Sequence, residues 1–308
     1  MRVCQGCRGG AGSCARFLVL IVATCLFLTG CTGMCFRIVC DPIVIDSPNE
    51  AYIVIEWNGP ACNIVRVTSG GDRTLVYTVG TAPTFLAIDA DGNYVVTYWD
   101  HVVRKIAPNG DMQLAFLVGD FLTNLSGIAI DGNGNYIIAK ADADSGLFNV
   151  TPMGSETRSF TYPGPGPLPI PFGVAIDAAG DSIVVERDPD ALAKITPGGV
   201  RTEIYAFTAS TVPTDVAIDG EGNYIVTESG AGNLVKITPG GTRTVLYSFA
   251  SESSPVGLAI DAKGNYIVTE DGTEQLVRIT PSGERTVIYT FAAGVVLWDV
   301  EVEPPPTL

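Results

Sequence analysis

A line of sequence that returns roughly every 42 residues constrains this chain more than any other feature. Pro213 to Phe249 and Pro255 to Phe291 read nearly the same text twice. Each runs through an apolar segment ending in Ala-Ile-Asp, a Gly-containing turn, Asn-Tyr-Ile-Val-Thr-Glu, and a short polar gap. Each then continues through Leu-Val-Lys-Ile-Thr-Pro or Leu-Val-Arg-Ile-Thr-Pro, Arg-Thr, and a closing apolar run. One acidic position checks the register: Asp46, Asp89, Asp131, Asp177, Asp219, Asp261 and Glu303 follow one another at intervals of 43, 42, 46, 42, 42 and 42. These intervals describe six repeats and one extra strand. A period of this length holding several strands belongs to a closed or stacked array, because one repeat cannot bury its own apolar faces.

Within a repeat, four short apolar runs are separated by Gly, Pro or Asp-rich turns, the signature of consecutive antiparallel strands. In the fifth repeat they are Val216 to Ile218, Tyr224 to Thr227, Leu234 to Thr238 and Val245 to Phe249, here strands a, b, c and d. The link Asp219-Gly220-Glu221-Gly222-Asn223 puts glycine where a tight hairpin needs positive φ. In the link Pro239-Gly240-Gly241, proline presets the turn. Strand b, as in Tyr266-Ile267-Val268-Thr269, is apolar on both faces, as a sheet covered on both sides requires. The small residues Gly173, Ala175, Ala217, Gly257 and Ala259 of strand a suit a crowded inner edge. The predicted fold is all-β, a six-bladed β-propeller of four-stranded antiparallel blades; composition alone also fits a sandwich. Val296 to Glu303 matches strand a but has no b, c or d after it. It is therefore expected to complete the first blade, whose Tyr52 to Ile55, Ile64 to Thr68 and Leu75 to Val79 come from the other end of the chain. Ile43 to Asp46 competes for the same slot.

The serial motif Pro-x-x-Val/Leu-Ala-Ile-Asp-x-x-Gly-Asn-Tyr-Ile-Val-Thr-Glu begins at Pro83, Pro213 and Pro255, with weaker copies at Asn124 and Pro171. This grammar resembles the NHL-repeat and streptogramin-lyase-like propellers and, in layout, the gluconolactonase-like ones. The resemblance implies the fold and leaves function open, since such propellers include enzymes, sensors and binding platforms. It implies a histidine, a glutamate and a magnesium ion in the lyases, whereas the later repeats here offer Glu228 and Glu270 but no histidine. For the lactonase-like relatives it implies a metal held by Glu, Asn and Asp, without a clear match. No catalytic residue carries over.

Residues 1 to 30 carry Arg2, Arg8 and Arg16 with no acid, then an apolar run from Phe17 to Leu28. That run is far shorter than the ~20 residues that span a bilayer and reads as a secretory signal. Leu28-Thr29-Gly30-Cys31 resembles the bacterial lipoprotein box, which implies cleavage before Cys31, lipidation there, and anchoring at the cell envelope. Thr32 after the cysteine points to the outer membrane or cell surface. The expected organisation is a signal peptide at 1–30, a tether at 31–42 and the propeller at 43–308. Cys4, Cys7, Cys14 and Cys25 leave with the leader. Cys35, Cys40 and Cys62 remain, enough for one disulfide of unspecified pairing and one thiol. Loss of the leader leaves 15 basic residues against 33 acidic ones. Such a surface excludes nucleic acid as a partner and favours solubility or cations. A monomer touching the membrane only through its lipid is expected.

Candidate site residues follow from the blade geometry. The residues ending strand b are Glu56, Tyr98, Lys140, Glu186, Glu228 and Glu270. The four carboxylates, equivalent around one axis, suit a hard cation such as calcium or magnesium; alternatively each caps its own hairpin or pairs with a neighbouring Lys or Arg. Asp215 and Asp299 precede the core of strand a and add acid near the axial opening. The sole histidine, His101, lies in Trp99-Asp100-His101 on the same face, suited to general-base work or to a plain surface loop. The serial Gly-Asn turns lie between strands with no helix following, so they are hairpins and not cofactor loops. The proline-rich Pro163 to Pro171 stretch lengthens one junction and accounts for the 46-residue interval. The leading reading is a non-catalytic binding or scaffold module engaging a protein or small molecule at the axial face. The alternative is a metal-dependent lyase or hydrolase at the acidic opening.

Overall fold

The computed structural model describes residues 50–304 except 60, 80–82, 100, 119–123, 142–144 and 164–168. Six four-stranded sheets form the blades, every neighbouring pair antiparallel. Among the described residues there is no helix. Blade 5 shows the plan: strand a is Pro213–Ile218, b Tyr224–Glu228, c Asn233–Ile237 and d Arg243–Ser248. The hairpin turns are set by the acid that closes strand a. Asp219 accepts the backbone N–H groups of Glu221 and Asn223 at 2.9 and 2.8 Å, while Gly222 takes φ +80°. Asp89, Asp131, Asp177 and Asp261 make the same turn, so the acid that marks the period in the sequence is the residue that shapes each a–b hairpin.

Burial grades outward. Strand b is buried throughout in blades 2, 3, 5 and 6, as its unbroken apolar run predicts, whereas strand d is largely exposed. The inner edge is crowded. A Cβ added at Gly173 would lie 2.6 Å from Asp215 Oδ1, and one at Gly257 would lie 2.7 Å from the Cα of Asp299. These glycines let strand a of one blade press against strand a of the next. Buried threonines stitch the same seams: Thr227 donates to Val256 O at 2.7 Å, and Thr97 to Ser126 O at 2.7 Å.

Val296–Glu303 completes blade 1 by pairing with Ala51–Asn58, Tyr52 facing Val302 and Val54 facing Val300. Glu303 at its end accepts Arg66 Nε at 2.6 Å from blade 1 and Tyr94 OH at 2.9 Å from blade 2. The competing Ile43 to Asp46, the lipidation box, Cys31, Cys35, Cys40 and the tether fall outside the described residues. Cys62 is buried and has no disulfide partner among the described residues, and burial raises the pKa of its thiol.

Candidate functional site

The four glutamates at the ends of strand b do not converge on one ion. Each turns into its own blade and meets the arginine that opens strand d. Glu228 accepts Arg243 Nε at 2.9 Å and Nη2 at 2.6 Å; Glu270 accepts Arg285 at 2.9 and 3.0 Å; Glu186 accepts Arg201 at 2.9 and 2.5 Å. Glu56 pairs with Arg73. Asn233, Thr273, Tyr162 and Asn63 donate further bonds to these carboxylates. The glutamates are at most 2 % exposed, so the bidentate fork serves ions withdrawn from water. Among the described residues no group of three or more His, Cys, Asp or Glu is placed to hold a metal. The equivalence that suggested a shared cation is a copied blade lock. Its signal was in the sequence: Glu ending strand b recurs with the Arg of each Arg-Thr pair, and the third blade carries Lys140 and Glu156 at those places instead.

Asp215 and Asp299 are not on a rim but buried inside, in a cavity of about 590 Å³ walled by strand a of all six blades. Each reaches across to the next blade. Asp215 accepts Leu258 N–H at 2.9 Å and Asp299 accepts Leu86 N–H at 2.7 Å, while their other oxygens take Val216 and Val300 N–H. Glu301 joins them in the wall. Desolvation raises all three carboxyls, with mutual repulsion adding for Asp215 and Glu301, and Glu301 is pushed up to about 8. Glu301 keeps some solvent contact within the channel, yet protein surrounds it on every side, which is why burial dominates.

The opening lies at the end where the d-to-a and b-to-c loops gather. A cavity of about 500 Å³ there draws residues from every blade. Its walls are mostly apolar, with Trp99, Trp298 and Phe172 as the large groups. Trp99 is 53 % exposed, and its ring meets Trp298 edge-on with centroids 6.4 Å apart. Arg187 stacks 3.8 Å over Phe172 and donates to Pro213 O at 3.1 Å. Burial lowers its pKa, against the pull of Asp190 and Asp188. Opposite in charge, Asp271 accepts Leu297 N–H at 2.8 Å, and burial raises its pKa. Val212 and Ser254, each just before a proline, hold φ +48° on this lining. Such a conformation is costly for a β-branched residue and is pinned by hydrogen bonds from Ser229 N–H to Val212 O and Asp271 N–H to Ser254 O. His101 is half-buried at φ 57°, its carbonyl accepts Val118 N–H, and it does not line this cavity. Of the residues expected at the rim, Trp99 alone is there. Trp298, Phe172, Arg187 and Asp271 were missed because the repeat carries no signal for them: Trp298 and Phe172 stand where the fifth blade has Thr214, and Arg187 and Asp271 where it has Ser229.

No family model and no curated protein matches this chain. Solved structures do. A catalytically inactive virginiamycin B lyase from Staphylococcus aureus with quinupristin is 16 % identical, with a TM-score of 0.60 over 81 % of this chain and 87 % of that one. The propeller of a nidogen/laminin complex is 15 % identical, TM-score 0.68, over 83 % and 98 %. Regucalcin, a calcium-binding protein from Agrobacterium tumefaciens, is 15 % identical, TM-score 0.56, over 68 % and 74 %. What they share with this chain is the fold. One is a lyase, one sits in a protein complex and one binds calcium, so the likeness supports the propeller without selecting among these roles.

Proposed function

We propose that this chain is an exported, lipid-anchored propeller of the bacterial cell envelope that binds an amphipathic ligand at its axial mouth without transforming it. One observation carries the reading. The four glutamates expected to hold a metal are each committed to an arginine, while the mouth offers two tryptophans, an arginine stacked on Phe172 and apolar walls. That lining suits a ligand with an aromatic or apolar body and an anionic group. Anilinonaphthalene sulfonate has this chemistry and reports its own binding by fluorescence. The full chain should bind it saturably, and Trp99→Ala and Arg187→Gln should each weaken binding about tenfold with little change in melting temperature. The enzymatic alternative is checked with quinupristin and magnesium. An unchanged mass for the compound is expected, and conversion would favour a lyase. Anchoring is checked with Cys31→Ala, expected to release the protein from membranes; unchanged partition would remove the lipoprotein reading.

A further inference from the structure

Two residues are repeated in five blades and lost in one, and both losses fall on the same seam. The residue of strand c that pairs with the second apolar residue of strand b is Arg66, Lys105, Lys194, Lys236 or Arg278, but in blade 3 it is Asn149. Opposite the last apolar residue of strand a, strand b carries Tyr52, Tyr94, Tyr136, Tyr224 or Tyr266, but in blade 4 Ser182.

In three of these seams Arg66, Lys105 and Lys194 each bond an acid at the end of strand a and lie near the tyrosine of the next blade. Lys105 bonds Asp89 at 2.6 Å beside Tyr136. Lys194 bonds Asp177 and Asp181 at 2.8 and 2.6 Å, close enough to Tyr224 to influence its titration. Between blades 3 and 4 the long cation and the ring are both replaced by short side chains. A cavity of about 640 Å³ stands in their place, lined by Asp131, Asn149, Ser182, Ile137, Leu147 and Ile195 among others.

Asp131 retains the acceptor geometry of its equivalents. It takes N–H bonds from Asn133 and Asn135, both at 2.8 Å, and the Asn135 side chain at 3.1 Å. Asp89 makes the same turn and takes Lys105 as well. An ionised carboxylate offers about four acceptor sites, so Asp131 has room for an ammonium such as Asp89 and Asp177 receive. Burial raises its pKa, but hydrogen bonds from Asn135 and Asn133 outweigh that and bring it below the ordinary aspartate value.

We propose that this seam binds an organic cation from outside the blade. Its ammonium pairs with Asp131, and a short aromatic or apolar body lies against Ile137, Leu147 and Ile195, restoring the lysine and tyrosine chemistry that the seams of Lys105 and Lys194 build in. The cation is a free amine or the lysine side chain of a peptide.

Tyramine joins a phenol to an ammonium and probes the free form; acetyl-Gly-Lys-Gly-amide probes the side chain. In calorimetric titration of the full chain, at least one is expected to bind saturably, to raise the melting temperature by mass action, and to weaken with added salt. Asp131→Asn keeps the turn acceptor and should cost at least tenfold in affinity. Asn149→Lys with Ser182→Tyr rebuilds the regular seam and should abolish binding while raising the melting temperature of the unliganded protein. If the rebuilt variant does not fold, Asp131→Asn alone decides. Binding unchanged in Asp131→Asn, or no binding of either probe to the parent, would overturn the proposal.

Discussion

Two sets of buried acids in this propeller are handled in opposite ways. Glu186, Glu228 and Glu270, at the ends of strand b, each face a guanidinium of their own blade. Asp215 and Asp299, in strand a, have only backbone N–H groups, including one from the neighbouring blade, and share the channel with Glu301. The first set stabilises blades one at a time and is copied with the repeat. The second set links blades, and it varies: at the position of Asp215 and Asp299 other blades carry Phe85, Gly127, Gly173 and Gly257. Gly173 and Gly257 leave the room that Asp215 and Asp299 fill. Repetition therefore reports on local stability, and departures from it mark where the blades are joined and where cavities open.

Removing Val296–Glu303 is the severest way to break this comparison, because that strand carries Asp299 and Glu301 and closes the ring. A chain ending at residue 295 exposes the edge of Ala51–Asn58 and is expected to lose cooperative melting and to aggregate. An unchanged melting curve would show that closure does not depend on this strand. A narrower change, Gly257→Ala, drives a methyl to 2.7 Å from the Cα of Asp299. It should cost about 1–3 kcal/mol, as overpacking does, read by chemical denaturation.

The mildest probe is pH. Glu301 titrates at about 8 when folded, against 4.5 for a free glutamate. Between those values the folded protein holds a proton that the unfolded chain has released, so stability falls as pH rises through this window. Asp299 and Asp215 act in the same direction. The melting temperature is expected to drop by a few degrees between about pH 5 and pH 8, since ~1 kcal/mol moves a chain of this size by ~2–4 °C. Glu301→Gln should flatten that slope, and a level profile in the parent would mean the axial acids are not destabilised by burial.

Much of the fold was legible because period, turn chemistry and apolar runs agree at every level. The closing strand was legible in part: Val296 to Glu303 is an orphan copy of strand a, but Ile43 to Asp46 competed for the same slot, and the pairing of Val296–Glu303 with Ala51–Asn58 fills it. The role of Glu228 and its equivalents was not legible from position. Equivalence around an axis says that residues are related by rotation, and only the side-chain direction shows that each points into its own sheet. The mouth was hidden for a different reason. Its lining is assembled from short pieces of all six blades, and Phe172 and Arg187 lie in strands whose sequence departs from the others.

The central claim is that the repeated glutamates are blade locks and not ligands, and a double-mutant cycle on Glu228 and Arg243, melted with and without calcium, tests it most directly. Arg243→Met alone leaves Glu228 buried and unpaired and should cost about 3–5 kcal/mol. Glu228→Gln alone should also destabilise, and combining the two should recover a large part of the loss, a coupling beyond the ~0.5 kcal/mol expected of independent sites. Calcium should leave all four melting temperatures unchanged. Additive losses, together with a calcium-dependent rise in the parent that Glu228→Gln abolishes, would contradict the account and return these carboxylates to a metal site.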